Sequence, residues 1–212
     1  MIYIFYTVID KKLSKDTFSY YLKYLPGILQ NKILKYRHWE DAQRSLLGKT
    51  LLMHGLQFMG LEQYILKDLK FSKLEKPFFD DSIDFNISHS GEFVLCAISL
   101  AGRIGVDIEE IKPVSFSELK MFFSDNECTK IEQSDNSTIS FYKHWTQKEA
   151  FLKAIGMGLN LPINQVEISE NKIVWGKDDW WLKEIKLHKK YISYVSHNIP
   201  FSKIIIEKIN YN

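Results

Sequence analysis

The sequence has only two cysteines, Cys96 and Cys128, in 212 residues. That excludes a disulfide-stapled mini-protein, and without a C-x-x-C pair it gives no support to a zinc site or a redox motif. Ten glycines in the whole chain exclude a collagen-like repeat. Neither sign of charge dominates. The 28 Lys and Arg face 26 Asp and Glu, a formal net charge of +2. Such a balance leaves no electrostatic footprint for bulk nucleic-acid binding, although it allows a local basic pocket. No uncharged apolar run is long enough to span a bilayer. The segment from Met1 to Asp10 lacks the basic flank and cleavage site of a secretory signal. These absences predict a soluble, reduced, cytoplasmic protein with neither nucleic acid nor membrane as partner.

Hydrophobic residues make up 45% and charged residues 25%, the composition of a globular protein. The length allows one large domain or two small ones, with a core that needs no structural metal. Cys96 lies in the apolar run Phe93-Val94-Leu95-Cys96-Ala97-Ile98 and reads as a buried thiol. Ile2 to Tyr6 reads as a strand. Leu29, Ile33, Leu34 and Tyr36 follow Pro26-Gly27 at helical spacing. Leu46, Leu47, Leu51, Leu52, Leu56 and Met59 form a broad apolar face that predicts a long helix from Asp41 to Met59, stopped by Gly60. Phe71 to Phe79 and Asp84 to Leu100 read as strands. The second half has a similar order. Phe116 to Glu132 and Thr138 to Ile155 read as helices, the latter ended by Gly156-Met157-Gly158. Segments 166–175, 182–196 and 202–209 read as strands. Two α+β halves are expected, with a boundary between Ala101 and Pro113 and an exposed loop at 133–137.

Three blocks carry candidate chemistry. In Gly105-Val106-Asp107-Ile108-Glu109, strand alternation puts both carboxylates on one face. Two such carboxylates suit Mg²⁺ with substrate phosphates, but an ordinary half-buried strand with a solvated charged face has the same pattern. In Trp145-Thr146-Gln147-Lys148-Glu149-Ala150-Phe151-Leu152-Lys153, helical spacing stacks Trp145, Glu149 and Lys153. That stripe fits either a helix-stabilising Glu-to-Lys pair or a working carboxylate beside a phosphate-neutralising lysine. In Phe85-Asn86-Ile87-Ser88-His89-Ser90-Gly91, short polar groups gather at a strand end, able to hold a phosphate or to cap a turn. A Ser-His-Asp triad finds no G-x-S-x-G elbow to support it. Lys32, Arg44 and Lys76 are scattered cations that read, singly, as solvated surface residues.

Taken in order, the three blocks resemble the 4′-phosphopantetheinyl transferase family, in its two-lobed, surfactin-synthetase-activating type. The resemblance extends to Glu40-Asp41-Ala42-Gln43-Arg44-Ser45-Leu46-Leu47-Gly48, to Lys76-Pro77 and to Gly156-Met157-Gly158-Leu159. It implies an α+β fold of two pseudo-symmetric lobes, each a long helix on an antiparallel sheet. The lobes would be residues 1–104 and 105–212, with the active site at the lobe interface. It implies Mg²⁺-dependent transfer of the phosphopantetheine arm of coenzyme A to a serine of an apo carrier protein, by a monomer. Peptidyl, acyl and aryl carriers all remain open. The implied metal ligands are Asp107, Glu109 and Glu149. Glu149 would also serve as base, and Lys153 would neutralise the pyrophosphate and assist the leaving group. The implied coenzyme contacts are Lys32, Arg44, Ser45, Lys76, Pro77, Ser88, His89 and Lys153. Glu127 matches a further acidic position near the metal. The family often has a basic residue around position 29, where this chain has Leu29, so one phosphate contact is left open.

Two other functions compete. A Mg²⁺-dependent nuclease or phosphoesterase also uses acidic pairs with a lysine, but it needs a basic track for its polymer. Here only the stretch from Lys183 to Lys190 is rich in lysine. A non-catalytic coenzyme A or carrier-binding module would not need Glu149 and Lys153. Finally, Phe116, Leu119, Phe122 and Phe123 share a helical stripe that must pack inward, leaving Lys120 and Met121 off it. Met121 is expected either to contact a carrier or to fill a gap in the core.

Overall fold

The structure is a computed structural model that describes residues 1–158 and 161–211. Leu159 of the post-helix pattern therefore lies outside the described residues. The chain divides into two compact units, Met1–Ala101 joined by the segment from Lys203 onward, and Gly102–Ser202. No helix among the described residues is long and apolar enough to cross a membrane.

The first unit contains β1 (Ile2–Val8), α1 (Lys15–Leu22), α2 (Gly27–Leu34), α3 (Trp39–Phe58), the short strands β2 (Lys70–Phe71) and β3 (Pro77–Phe78), β4 (Asp84–Ser90) and β5 (Phe93–Ser99). Leu46, Leu47, Leu51, Leu52 and Leu56 of α3 are all buried, as the apolar face predicted. They lie over β1, β4 and β5. Every residue of β5 is buried, which explains its unbroken apolar run. Helix α1 carries a short apolar stripe, with Leu22 buried and Phe18 and Tyr21 half-buried against the core. It starts because the Ser14 side chain accepts from the Thr17 backbone N–H at 3.0 Å. The expected strand at 71–79 is a tight turn between two-residue strands. The Ser72 hydroxyl accepts from Lys76 N at 3.0 Å and reverses the chain.

The second unit contains β6 (Ile104–Glu110), α4 (Phe116–Leu119), α5 (Asp125–Glu132), α6 (Ser137–Ile155), β7 (Lys172–Trp175), β8 (Asp178–Glu184) and β9 (Tyr191–His197). Its sheet has the order β6-β9-β8-β7, antiparallel throughout. Both units thus place a long helix on a four-stranded sheet, and the mixed α+β class is as expected. The single helix expected at 116–132 is broken at Phe123, whose backbone is extended. Ser124 then caps α5 in a reciprocal box with Glu127, so local capping overrides a continuous apolar stripe. Gly156 ends α6 at φ +72°, in the left-handed region that glycine enters without penalty.

The C-terminal end differs from the expected lobe of 105–212. Strand β10 (Ile204–Lys208) pairs in parallel with β1, Ile2 opposite Ile204, so the first sheet runs β10-β1-β5-β4. The physical reason is that β1 has one edge on β5, and β10 satisfies the backbone groups of the other.

Candidate active site

The acidic group of the second unit is set by a missing side chain. Gly105 of β6 faces α6, and a Cβ there would run into the Ala150 carbonyl oxygen and the Ala154 backbone. Glycine on the strand and alanines on the helix let the two backbones approach closely. Alternation then carries Asp107 and Glu109 along the same face of β6, beside α6. Asp107 is only 2% exposed and its neighbours Val106 and Ile108 are buried. Asp107 is therefore no part of a solvated strand face, while Glu109 is half-buried. Lys153 reaches across from α6, its Nζ 2.5 Å from Asp107 Oδ1.

Glu149 lies one turn before Lys153. Burial pushes its carboxyl above the usual range, the Lys153 charge opposes this, and Asp107 and Glu109 push it up further. The three carboxylates and the lysine therefore share one electrostatic environment. Hard oxygen donors of this kind suit Mg²⁺. Their chemistry fits the implied cation, but Lys153 now supplies the positive charge at Asp107. Among the described residues no group of three or more His, Cys, Asp or Glu side chains converges as a metal site.

Glu127 is placed elsewhere. Its Oε2 accepts from Lys148 Nζ at 2.6 Å and from Ser124 N at 2.9 Å. Lys148 is fully buried and also donates to the carbonyls of Ile163 and Phe122, at 3.0 and 3.3 Å. This pair ties α5, α6 and the segment after α6 together. Sequence reasoning gave Lys148 no role, because a lysine beside Glu149 on a helix reads as surface.

In the first unit, a cavity of about 190 Å³ brings together Lys32, Ser45, Pro77 and His89, with Leu29 among the apolar residues lining it. Arg44, Lys76 and Ser88 do not line it. The Arg44 guanidinium donates to the Asp41 carboxylate at 2.6 Å and to the Gly91 carbonyl at 2.9 Å. It thereby holds the Asp41 carboxyl below its ordinary range. Lys76 pairs with Asp84 at 2.9 Å. Ser88 is buried and, by strand alternation, on the opposite face of β4 from His89. One lining residue escaped the sequence reading. Lys49 of α3 faces the same cavity, and its Nζ donates to Ser45 Oγ at 3.1 Å.

Residues 103–195 match the 4′-phosphopantetheinyl transferase superfamily, and residues 12–101 match its N-terminal family, "4′-phosphopantetheinyl transferase, N-terminal". The 4′-phosphopantetheinyl transferase gsp of Aneurinibacillus migulanus is 35% identical over 177 residues, covering 81% of this chain and 73% of that protein. The 4′-phosphopantetheinyl transferase Sfp of Bacillus subtilis is 36% identical over 167 residues, covering 75% of this chain and 72% of that protein. The chain belongs to the 4′-phosphopantetheinyl transferase superfamily and is a transferase of the Sfp type.

Proposed function

We propose that this enzyme moves the 4′-phosphopantetheine arm of coenzyme A onto a serine hydroxyl of an apo carrier protein. The observation that carries the reading is Lys153 on Asp107 where α6 packs on β6, with Glu149 one helical turn away under the charges of Lys153, Asp107 and Glu109. The serine oxygen bonds to the pantetheine-side phosphorus as the bridging P–O bond to the nucleotide breaks. Glu149 takes the serine proton, directly or through a water, and adenosine 3′,5′-bisphosphate leaves. Lys153 neutralises charge on the pyrophosphate. Asp107, Glu109 and Glu149 would hold Mg²⁺, which supplies further neutralisation of the pyrophosphate when bound. Lys32, Ser45, Pro77 and His89 are assigned to the coenzyme, with His89 at its 3′-phosphate. Arg44, Lys76 and Ser88, each next in sequence to a residue that lines the cavity, are assigned to the coenzyme as well. The test is intact mass spectrometry of an apo carrier incubated with the enzyme, coenzyme A and Mg²⁺. A gain of one phosphopantetheine is the expected result, and an unmodified carrier would overturn the assignment.

Metal dependence through Asp107 is expected. Chelation should abolish transfer and excess Mg²⁺ should restore it. Asp107→Ala should raise the Mg²⁺ concentration for half-maximal rate by about tenfold or more, the effect of losing one carboxylate ligand or its support. An unchanged Mg²⁺ titration would remove Asp107 from the cation's ligands.

Carrier docking is assigned to the turn after α4. Met121 is 71% exposed there, while Phe123 is buried among Ile131 and Phe141. The gap-filling alternative for Met121 is thereby excluded. Met121→Glu, with coenzyme A saturating, should raise the KM for the carrier several-fold at an unchanged melting temperature. An unchanged KM would take Met121 out of the docking surface.

A further inference from the structure

The cavity of the first unit contains more positive charge than its sequence neighbourhood suggested. Helix α2 offers it one cation, Lys32, with Leu29 apolar on the same helix. Helix α3 adds Lys49, one turn beyond Ser45, and β4 adds His89. Among the described residues Glu75, in the turn between β2 and β3, is the one carboxylate lining the cavity. Among the described residues neither Lys32 nor Lys49 has a carboxylate within ion-pair distance.

A lysine kept for packing alone normally runs its stem along apolar surface and sends its ammonium to water. Lys49 does otherwise. Its ammonium stays inside the half-buried cavity, bonded to a hydroxyl and facing a second lysine. Burial, and then the Lys32 charge, pull it down to about 8. Two like charges in a partly desolvated space oppose each other unless an anion joins them. A phosphate monoester supplies two negative charges and several acceptor oxygens, which match two ammonium groups, an imidazole and the Ser45 hydroxyl.

We propose that Lys49 is a specificity-determining residue that reads the 3′-phosphate of coenzyme A together with Lys32 and His89. The proposal rests on the coenzyme A reading above. An arriving phosphate favours the charged form of Lys49, so binding takes up protons near pH 8. The groups facing Lys49 are Lys32 from α2, His89 from β4, Glu75 from the β2–β3 turn and Tyr36 just after α2. Of these, Lys32 is the one whose charge adds to burial in lowering the Lys49 pKa.

The test is calorimetric titration of the enzyme with coenzyme A and with 3′-dephospho-coenzyme A at pH 8, in two buffers of different ionisation heat. Wild type should bind coenzyme A more tightly and take up more protons with it. Lys49→Met should lose roughly tenfold or more in affinity for coenzyme A, the scale of a charge-assisted hydrogen bond, and stay within about twofold for the dephospho form. Its proton uptake should fall, its melting temperature should not, and Lys49→Arg should keep most of the preference. Equal weakening for both ligands, or no change for either, would overturn the role of Lys49 while transfer from coenzyme A still occurred. If wild type bound neither ligand, the coenzyme A reading would fail first, and mass-spectrometric transfer would be absent as well.

Discussion

Glu149→Gln should lower turnover by about a hundredfold or more, while affinity for coenzyme A falls far less. The amide keeps the size and one acceptor oxygen of the carboxylate but cannot take the serine proton, and general-base help is worth about this much. The residue is placed for the task. It lies on α6 one turn before Lys153, and both face the Asp107 side of β6. Burial first, and then its acidic neighbours, raise its carboxyl above the usual range, with Lys153 opposing. A base must be ionised to act, so the rate should rise with pH along an acid limb set by Glu149 and the charges around it. That limb should be missing from the residual rate of Glu149→Gln. Steady-state rates across pH, with both substrates saturating, measure both effects. Near-normal turnover in the variant would remove Glu149 as the base and leave it, at most, a neighbour of the metal carboxylates.

Glu127→Gln is expected to destabilise the protein by about 3–5 kcal/mol, the penalty for stranding a buried charge. In melting temperature that is a fall of roughly 10 °C for a chain of this size. Glutamine can still complete the capping box with Ser124, so the substitution isolates the charge from the cap. What remains is the ammonium of Lys148, fully buried, with the carbonyls of Ile163 and Phe122 as its acceptors. Burial, the largest influence, already lowers the Lys148 pKa, and Glu127 pulls it back. Without Glu127 the depression deepens. Between the lowered folded value and the ordinary unfolded one, the unfolded chain binds more protons, so stability rises with pH. The variant's deficit should therefore be greatest at and below neutral pH and shrink toward pH 10. Replacing both partners, Lys148→Met with Glu127→Met, should recover much of the loss. Denaturant unfolding at several pH values checks this. A pH-independent deficit would assign the loss to packing rather than to charge.

The sequence made some parts of this molecule plain and hid others for identifiable reasons. Helices α3 and α6 were legible because α3 buries a broad stripe of leucine and α6 buries Phe141, Phe151 and Leu152, and hydrophobic period is the strongest local signal. The shared face of Asp107 and Glu109 followed from alternation alone. The burial of that face did not, because β6 looks identical whether its charged side meets water or α6. Only the approach permitted by Gly105, Ala150 and Ala154 decides it. The break at Phe123 was hidden because Phe116, Leu119 and Phe122 keep helical spacing right up to it, and the capping by Ser124 is a short signal directly after them. Lys49 and Lys148 were missed for a common reason. Lysine is so seldom buried that a sequence gives no ground to look for it in a cavity or a core. Arg44 and Lys76 stay out of the cavity lining through their pairing with Asp41 and Asp84, which motif spacing does not record, whereas alternation by itself puts Ser88 on the face opposite His89.

The strand order β10-β1-β5-β4 also bears on synthesis. A ribosome makes the chain from β1 onward, yet the first sheet takes an edge strand, β10, from residues that follow the whole of the second unit. Throughout translation of Gly102–Ser202, the Ile2–Tyr6 edge that will receive β10 has its ladder groups open. That edge alternates buried Ile2 and Ile4 with aromatic Tyr3 and Phe5, the composition that invites pairing with a neighbouring nascent chain. Messages truncated after Ser202 should therefore yield aggregates rather than a shortened soluble enzyme. A peptide spanning Ser202–Tyr211, supplied in trans, should protect them by occupying the same edge.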